Sequence, residues 1–323
     1  MRQRPLLLGS LTVVLAASGF GILGPLARFS YEAGLDPPSF VAWRATFGLL
    51  VILAVVAVRL RRGSVSFVNP LGLPAIDRAA LVLVGIAGLG LNVAMFFAFD
   101  LTTIAIALLA FYTYPAFVAI VGAALGHEPL DAPRIAALGL ALGGMVLVVA
   151  GGLGSGSTAV TVHPLGVLLG LVAAGWQTVF VTVSRRRYAT VPPEQATAYL
   201  LAIAAVGAAV LAIATGGALP LPLTSPDALG LAAIGGVVAS GIPSLLFLMG
   251  IRAIGGTRAG ILMLFEPLVG VTLAAALLHE ALALIQVVGG VAILAAALVL
   301  QRAAPSGSAE RIEPAAVPSV EHG

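Results

Sequence analysis

Residues 107–130 read ALLAFYTYPAFVAIVGAALGHEPL, and residues 259–282 read AGILMLFEPLVGVTLAAALLHEAL. Laid one on the other without gaps, Pro115 falls on Pro267, His127 on His279 and Glu128 on Glu280, each pair 152 residues apart. Alanine and leucine matches mean little in a chain this rich in both. Proline, histidine and glutamate matches at fixed spacing mean more, because the chain holds only 4 histidines. Farther upstream, Pro37-Pro38 corresponds to Pro192-Pro193 at an offset of 155. Phe20 and Trp176 place an aromatic side chain in the first apolar run of each half. The chain reads as one unit used twice.

Each copy is almost wholly apolar. Of 323 residues, 60% are hydrophobic and 9% charged, with a mean hydropathy of +1.12. A soluble domain carries about a quarter charged residues. A chain this poor in charge cannot cover a water-facing surface, so it reads as an integral membrane protein. A helix needs roughly 20 apolar residues to cross a bilayer core. Ten runs meet that length: 6–28, 39–60, 78–99, 103–125, 133–151, 164–184, 195–215, 228–250, 257–278 and 281–301. They are continuous rather than alternating, which predicts helices and not barrel strands. The N-terminal MRQRPLLLGSLTVVLAASGF has the basic start and small residues of a secretory signal. Its apolar run continues to Leu26, however, and so reads as a first span.

The expected fold class is therefore an all-α integral membrane protein of ten transmembrane helices. Five spans per copy is an odd number, so the second copy crosses the membrane in the opposite sense. The expectation is two inverted-topology five-helix repeats, 1–151 and 152–302, followed by a disordered cytoplasmic tail over 303–323, rich in Pro, Ser, Ala and Glu. The arginines agree. With the N-terminus in the cytoplasm, the inside segments hold Arg2, Arg4, Arg59, Arg61, Arg62, Arg78, Arg134, Arg185, Arg186, Arg187, Arg252, Arg258 and Arg302. The outside loops hold Arg28, with Arg44 just inside the second span. That excess of positive charge on one side predicts both termini in the cytoplasm and a multi-pass protein of the cytoplasmic (cell) membrane.

Composition also excludes chemistry. With no cysteine there is no disulfide, thiol nucleophile or thiolate metal site. A net charge of +3, spread in short arginine clusters, does not suggest nucleic acid as a partner. The glycine-rich GGLGSGSTAV at 151–160 lacks the lysine of a phosphate-binding loop, so ATP-driven transport is not indicated. His127-Glu128 and His279-Glu280 fall at span ends on opposite faces. They read mainly as interfacial residues whose carboxylates cap following helices, and they do not converge as metal ligands. No catalytic residue, metal or cofactor is expected.

Two copies of five spans, with Tyr114-Pro115 followed by His127-Glu128 and Glu266-Pro267 followed by His279-Glu280, resemble the EamA-type proteins of the drug/metabolite transporter superfamily. Arg44, in PSFVAWRATFG, fits an arginine that the family carries early in its second span. The second repeat departs there, with Tyr199 in roughly the equivalent place. The resemblance covers about residues 8–301. It implies a ten-helix secondary transporter, usually an exporter of small metabolites, amino acids or drugs. It implies no particular substrate.

Several residues are candidates for a site. Glu266 is an ionisable group inside a span, costly there and functional by default. It reads either as a proton-coupling or amine-binding carboxylate, or as a carboxyl capping backbone donors near Pro267. Arg44 reads as snorkelling to the outer interface, as a partner of Glu266, or as a substrate-carboxylate ligand. Asn92 near Phe96, its repeat mate Ser244, Trp176-Gln177, Tyr112, Tyr114 and Tyr199 are polar or aromatic groups at membrane depth. As a set they predict a substrate pocket; singly each is explained by interhelical hydrogen bonding. Pro25, Pro115, Pro243 and Pro267 mark expected bends or hinges, and Gly139 with Gly143 a GxxxG helix contact. The expected partners are a small-molecule substrate, the lipid bilayer and protons. A proton- or gradient-driven carrier is the leading reading. An intramembrane enzyme acting on a lipid carrier would need clustered acid, base or metal ligands near one interface, and a non-transporting membrane scaffold would bind no small molecule.

Overall fold

A computed structural model of the chain describes residues 3–64, 66–102, 104–126, 131–153, 163–270 and 284–302. Every extended element among the described residues is helical. The first half contains α1 (Gln3–Phe20), α2 (Leu23–Glu32), α3 (Pro37–Arg61), α4 (Ala75–Leu101), α5 (Ile104–Phe111), α6 (Tyr114–Ala124) and α7 (Ala132–Leu153). The second contains α8 (Pro164–Arg186), α9 (Pro193–Ala214), α10 (Pro226–Gly236), a π-helical segment (Val237–Gly241), α11 (Ile242–Ile254) and α12 (Gly256–Met263). A helix α13 is described over 265–270, and α14 is Leu284–Arg302.

Among the described residues, seven helical stretches are long and apolar enough to cross a membrane: Leu6–Glu32, Pro37–Arg61, Ala75–Leu101, Ile106–Ala124, Pro164–Arg186, Pro193–Ala214 and Pro226–Ile254. Ala132–Val148 and Leu284–Ala296 are shorter apolar helices at the expected fifth and tenth spans. The expected ninth span is described only through α12 and α13. The His127-Glu128 and His279-Glu280 pairs and the tail from 303 lie outside the described residues. Large apolar side chains such as Leu8, Leu50, Val206, Ile213 and Val291 stand on the outer surface. That surface suits hydrocarbon and not water. The interior is built instead from alanine, at Ala16, Ala87, Ala137, Ala173, Ala208 and Ala232 among others. Between helices in lipid, small residues let backbones approach and gain dispersion contact.

The duplicated sequence gives duplicated boundaries. Phe111 closes α5 and Met263 closes α12. These two ends are 152 residues apart. Packing is duplicated as well. α1 packs along α11 and α4 along α8, while α3 packs on α9 and α7 on α14.

Four prolines explain four breaks by one mechanism. A proline has no N–H, so the carbonyl four residues earlier loses its helical donor. Pro115 leaves Phe111 without that donor, and α5 ends at Phe111. Pro267 does the same to Met263, where α12 ends. Pro25 does so to Gly21, in the turn between α1 and α2. Pro243 does so to Ala239, inside the π-helical segment. The first break thus lies a turn upstream of Gly24-Pro25 itself. The helix is interrupted at the carbonyl deprived of its donor, and the proline begins the next one.

The expected GxxxG contact is corrected. Gly139 and Gly143 face open space. The close approach is made by Gly144 against Gly289 of α14, because the packed face of α7 runs through Ala137, Ala141, Gly144 and Val148.

Candidate functional site

The site begins with the start of α3. Asp36 caps it by accepting from the Ser39 amide at 3.0 Å, and Pro37-Pro38 occupy the first turn with the fixed φ that a helix start favours. This fixes the register that turns Phe40, Arg44 and Gly48, four residues apart, to one buried face. At Gly48 the missing side chain lets the π-helical segment come in: a Cβ on Gly241 would stand 2.8 Å from the Gly48 carbonyl oxygen. On α4 the same four-residue spacing aligns Gly88, Asn92 and Phe96. The Asn92 amide donates to the Gly88 carbonyl at 2.7 Å. That orients its own oxygen to accept from Arg44 Nη2. The Arg44 guanidinium lies 5.1 Å from the Phe96 ring centre and 5.9 Å from that of Phe40.

Arg44 is 3% exposed, so it does not snorkel, and it forms no ion pair with Glu266. Five residues into its span it is already enclosed, because Phe40, Phe96 and the glycines of α10 close over it. Its Cδ would lie 3.5 Å from a Cβ on Gly235.

A second group begins on another face of α4. Gly90 receives the Trp176 indole edge-on; a Cβ there would come within 2.6 Å of Trp176 Nε1. The next residue of α8, Gln177, is buried and lies within hydrogen-bonding reach of Tyr114. Tyr112 and Tyr114 flank the break between α5 and α6 and are fully buried, with the Phe111 ring 5.3 and 5.1 Å from theirs. The Tyr114 hydroxyl also reaches the Gly260 carbonyl of α12 at 3.5 Å. The Tyr112 hydroxyl makes no hydrogen bond of ordinary geometry. It faces the Glu266 carboxyl, with Tyr114 close enough to interact with the same charge. Glu266 is of intermediate accessibility. Its backbone carbonyl packs on Gly21, where a Cβ would stand 2.9 Å away. The break of the first span thus rests directly on the residue that carries the carboxyl.

Arg44, Asn92 and Phe96 therefore form one interior group, and Gln177, Tyr112, Tyr114 and Glu266 form a second row around the helix breaks, while Trp176 lies against a different face of α4 from Asn92. Ser244 follows Pro243 in the first turn of α11 and is half-buried. Tyr199 stands apart from the row. Its hydroxyl accepts from Gln195 Nε2 at 2.9 Å, and the same nitrogen donates to the Val68 carbonyl at 2.6 Å. Two features at that end carry no obvious signal in the sequence. Glu194, 2% exposed, pairs with Arg59 at 3.0 Å across the two halves. Arg252 donates to the Val191 carbonyl at 2.8 Å and lies 5.3 Å from the Tyr188 ring centre. Glu194 beside Pro193 reads simply as an acidic first-turn residue, and its partner is far off in the chain. Burial pushes the Tyr188 phenol, in the loop after α8, above its usual value.

A family model described as the EamA-like transporter family matches residues 7–150 and again 164–302. Comparison with curated proteins gives no match. Among solved structures 27 chains match. One, described as a crystal structure of a protein, is 23% identical and superposes with a TM-score of 0.72 over 90% of this chain and 95% of the other. At that identity the likeness shows a shared fold.

Proposed function

The chain belongs to the EamA-like transporter family, and from that membership we propose that it is a secondary active transporter that exports a small organic solute across the cytoplasmic membrane by alternating access. Ten spans form two five-helix repeats, 1–151 and 152–302, of opposite sense, with both termini in the cytoplasm. The exchange of packing partners supports the inversion: α1 on α11 is the counterpart of α4 on α8, as a pseudo-two-fold axis in the membrane plane requires. The arginine excess on one side supports the orientation.

The observation that carries the proposal is Glu266 at the junction of the breaks. It faces Tyr112 beside one interrupted span, is carried on a second, and rests through its carbonyl on a third. Interrupted helices around a mid-membrane polar site are where carriers place binding and rearrangement. Protonation of Glu266 removes a charge from that junction and couples solute movement to the proton gradient. The aromatic and amide groups from Tyr112 to Asn92 line the solute's place.

The test is flux in proteoliposomes, using a solute found by thermal-shift screening of a metabolite panel. Wild-type protein gives concentrative movement driven by a pH gradient. Glu266→Gln keeps solute exchange at equilibrium but loses the gradient-driven component. Intact gradient-driven flux in that variant removes the coupling role. No saturable exchange of any bound solute by wild-type protein removes the carrier reading.

A further inference from the structure

Arg44 is a buried cation with no carboxylate in ion-pair contact; Asp100 and Asp36 act on the neighbouring Tyr31, but neither pairs with the guanidinium. Its Nη2 hydrogen bond goes to a neutral amide, Asn92, and its faces meet the Phe96 and Phe40 rings. Arg28–Glu32, Arg59–Glu194 and Arg134–Asp131 are ion pairs elsewhere in the molecule. Arg44 Nε is buried without a hydrogen-bond partner. The hydroxyl of Tyr31, close enough to interact with the Arg44 charge, is buried without one as well. Orphaned buried donors are rare in native proteins and call for a reason. Aromatic faces offset part of the cost of burying a guanidinium, and one amide offsets a little more. Neither supplies the opposite charge that makes such burial favourable. A water molecule would satisfy Nε, but it too brings no charge.

Resting on the transporter reading, we infer that Arg44, with Asn92 and Tyr31, is the specificity-determining site for an organic carboxylate, so that the transported solute is an acid held there by its carboxylate. A carboxylate presents two oxygens to the planar guanidinium, which is the geometry Arg recognises best. One oxygen takes Arg44 Nε and the Tyr31 hydroxyl donates to the group as a second anchor. Asn92 is the rest-state partner. Its amide, fixed by the Gly88 carbonyl, holds the guanidinium in place with an acceptor too weak to compete with an anion. The apolar part of the acid has its contacts ready. Phe40 and Phe96 flank the cation, with Tyr31 edge-on to Phe40 and Phe99 edge-on to Phe96. A free inorganic anion would use the charge and leave that aromatic wall unused.

The experiment uses full-length protein in detergent, with three acid–amide pairs as probes: benzoate and benzamide, phenylacetate and phenylacetamide, indole-3-acetate and indole-3-acetamide. Thermal shift and equilibrium dialysis are read for each. At least one acid raises Tm while its amide at the same concentration does not. Removing a buried cation can unsettle the fold, so Arg44→Gln is paired with Asn92→Asp, which keeps Arg44 and installs a carboxylate opposite it. Both variants weaken acid binding at least tenfold, and Asn92→Asp keeps or raises the Tm of the empty protein. The inference is overturned by any of four results: acids and amides acting alike, no acid binding, chloride or sulfate stabilising as much as the acids, or Asn92→Asp binding the acid as wild type does. Counterflow in proteoliposomes separates this from the carrier reading. An acid that binds but never exchanges supports the site and sinks the carrier. Exchange of a neutral or cationic solute with no acid binding sinks the site and keeps the carrier.

Discussion

Gly144 of α7 and Gly289 of α14 meet backbone to backbone. A Cβ on Gly144 would stand 2.6 Å from the Gly289 carbonyl oxygen, and one on Gly289 2.5 Å from that of Gly144. α7 is thus seated on α14 with no room for a side chain. Gly144→Leu and Gly289→Leu are expected to cost about 1–3 kcal/mol each through overpacking. Gly139→Leu and Gly143→Leu point into open space and are expected to be near neutral. Thermal unfolding in detergent reads the difference. Equal effects at 139 and 144 would mean that this contact does not hold the halves together.

Arg59 and Glu194 join the halves at the other self-paired contact, α3 on α9. Their burial is unequal: the Glu194 side chain is 2% exposed and that of Arg59 44%. Removing Arg59 leaves a carboxylate buried alone, whereas removing Glu194 leaves an arginine that still reaches water. Arg59→Ala is therefore expected to destabilise more than Glu194→Gln, by about 1 kcal/mol after allowing for the solvent around Arg59. The double variant is expected to recover part of the loss. A double-mutant cycle by chemical unfolding checks this, and strictly additive costs would count against the tie.

Most of the fold is written in hydropathy and repetition, because in lipid only backbone-satisfied helices span. The repeated prolines even locate the breaks once their effect is placed four residues upstream. Side-chain partnership across the repeats is less legible. Which of three nearby glycines in α7 makes the contact depends on rotation of the helix, which an all-apolar helix does not record. Arg44 looks like a residue able to reach the interface, and only the closure of Phe40, Phe96 and α10 over it shows that it is buried. Tyr199 lies at a depth that suits the pocket, yet Gln195 and Val68 engage it. Pairings such as Glu194 with Arg59 join residues more than a hundred positions apart, and local spacing carries no trace of them.

Trp176 provides its own reporter. The chain has 2 tryptophans, Trp43 and Trp176, so Trp43→Phe leaves Trp176 as the single indole. Gly90 is its seat, with Trp176 Nε1 only 2.6 Å from where a Cβ would be. In the Trp43→Phe background, Gly90→Ala is expected to shift Trp176 emission and to weaken binding of any pocket ligand severalfold, while Gly175→Ala, with open space around it, does neither. Unchanged emission in the Gly90 variant would show that the indole is seated elsewhere.

The link from α11 to α12 turns on Gly255, whose φ is +89° and ψ 162°. An L side chain rarely adopts that conformation, and holding one there costs about 1–3 kcal/mol. Gly255 connects the span with the π-helical segment to the span that carries Glu266, and its amide donates to the Ile251 carbonyl at 3.1 Å to close α11. Gly255→Ala is expected to lower stability by about that amount and to slow transport, since strain at the joint is felt by both interrupted spans. Gly230→Ala is the control. Gly230 lies within α10 with nothing near its missing Cβ, so alanine there relieves backbone entropy and is expected to stabilise by about 0.5–1 kcal/mol. Thermal unfolding of the two variants, moving in opposite directions, checks the assignment. Alanine tolerated at 255 as well as at 230 would show that the joint does not need glycine.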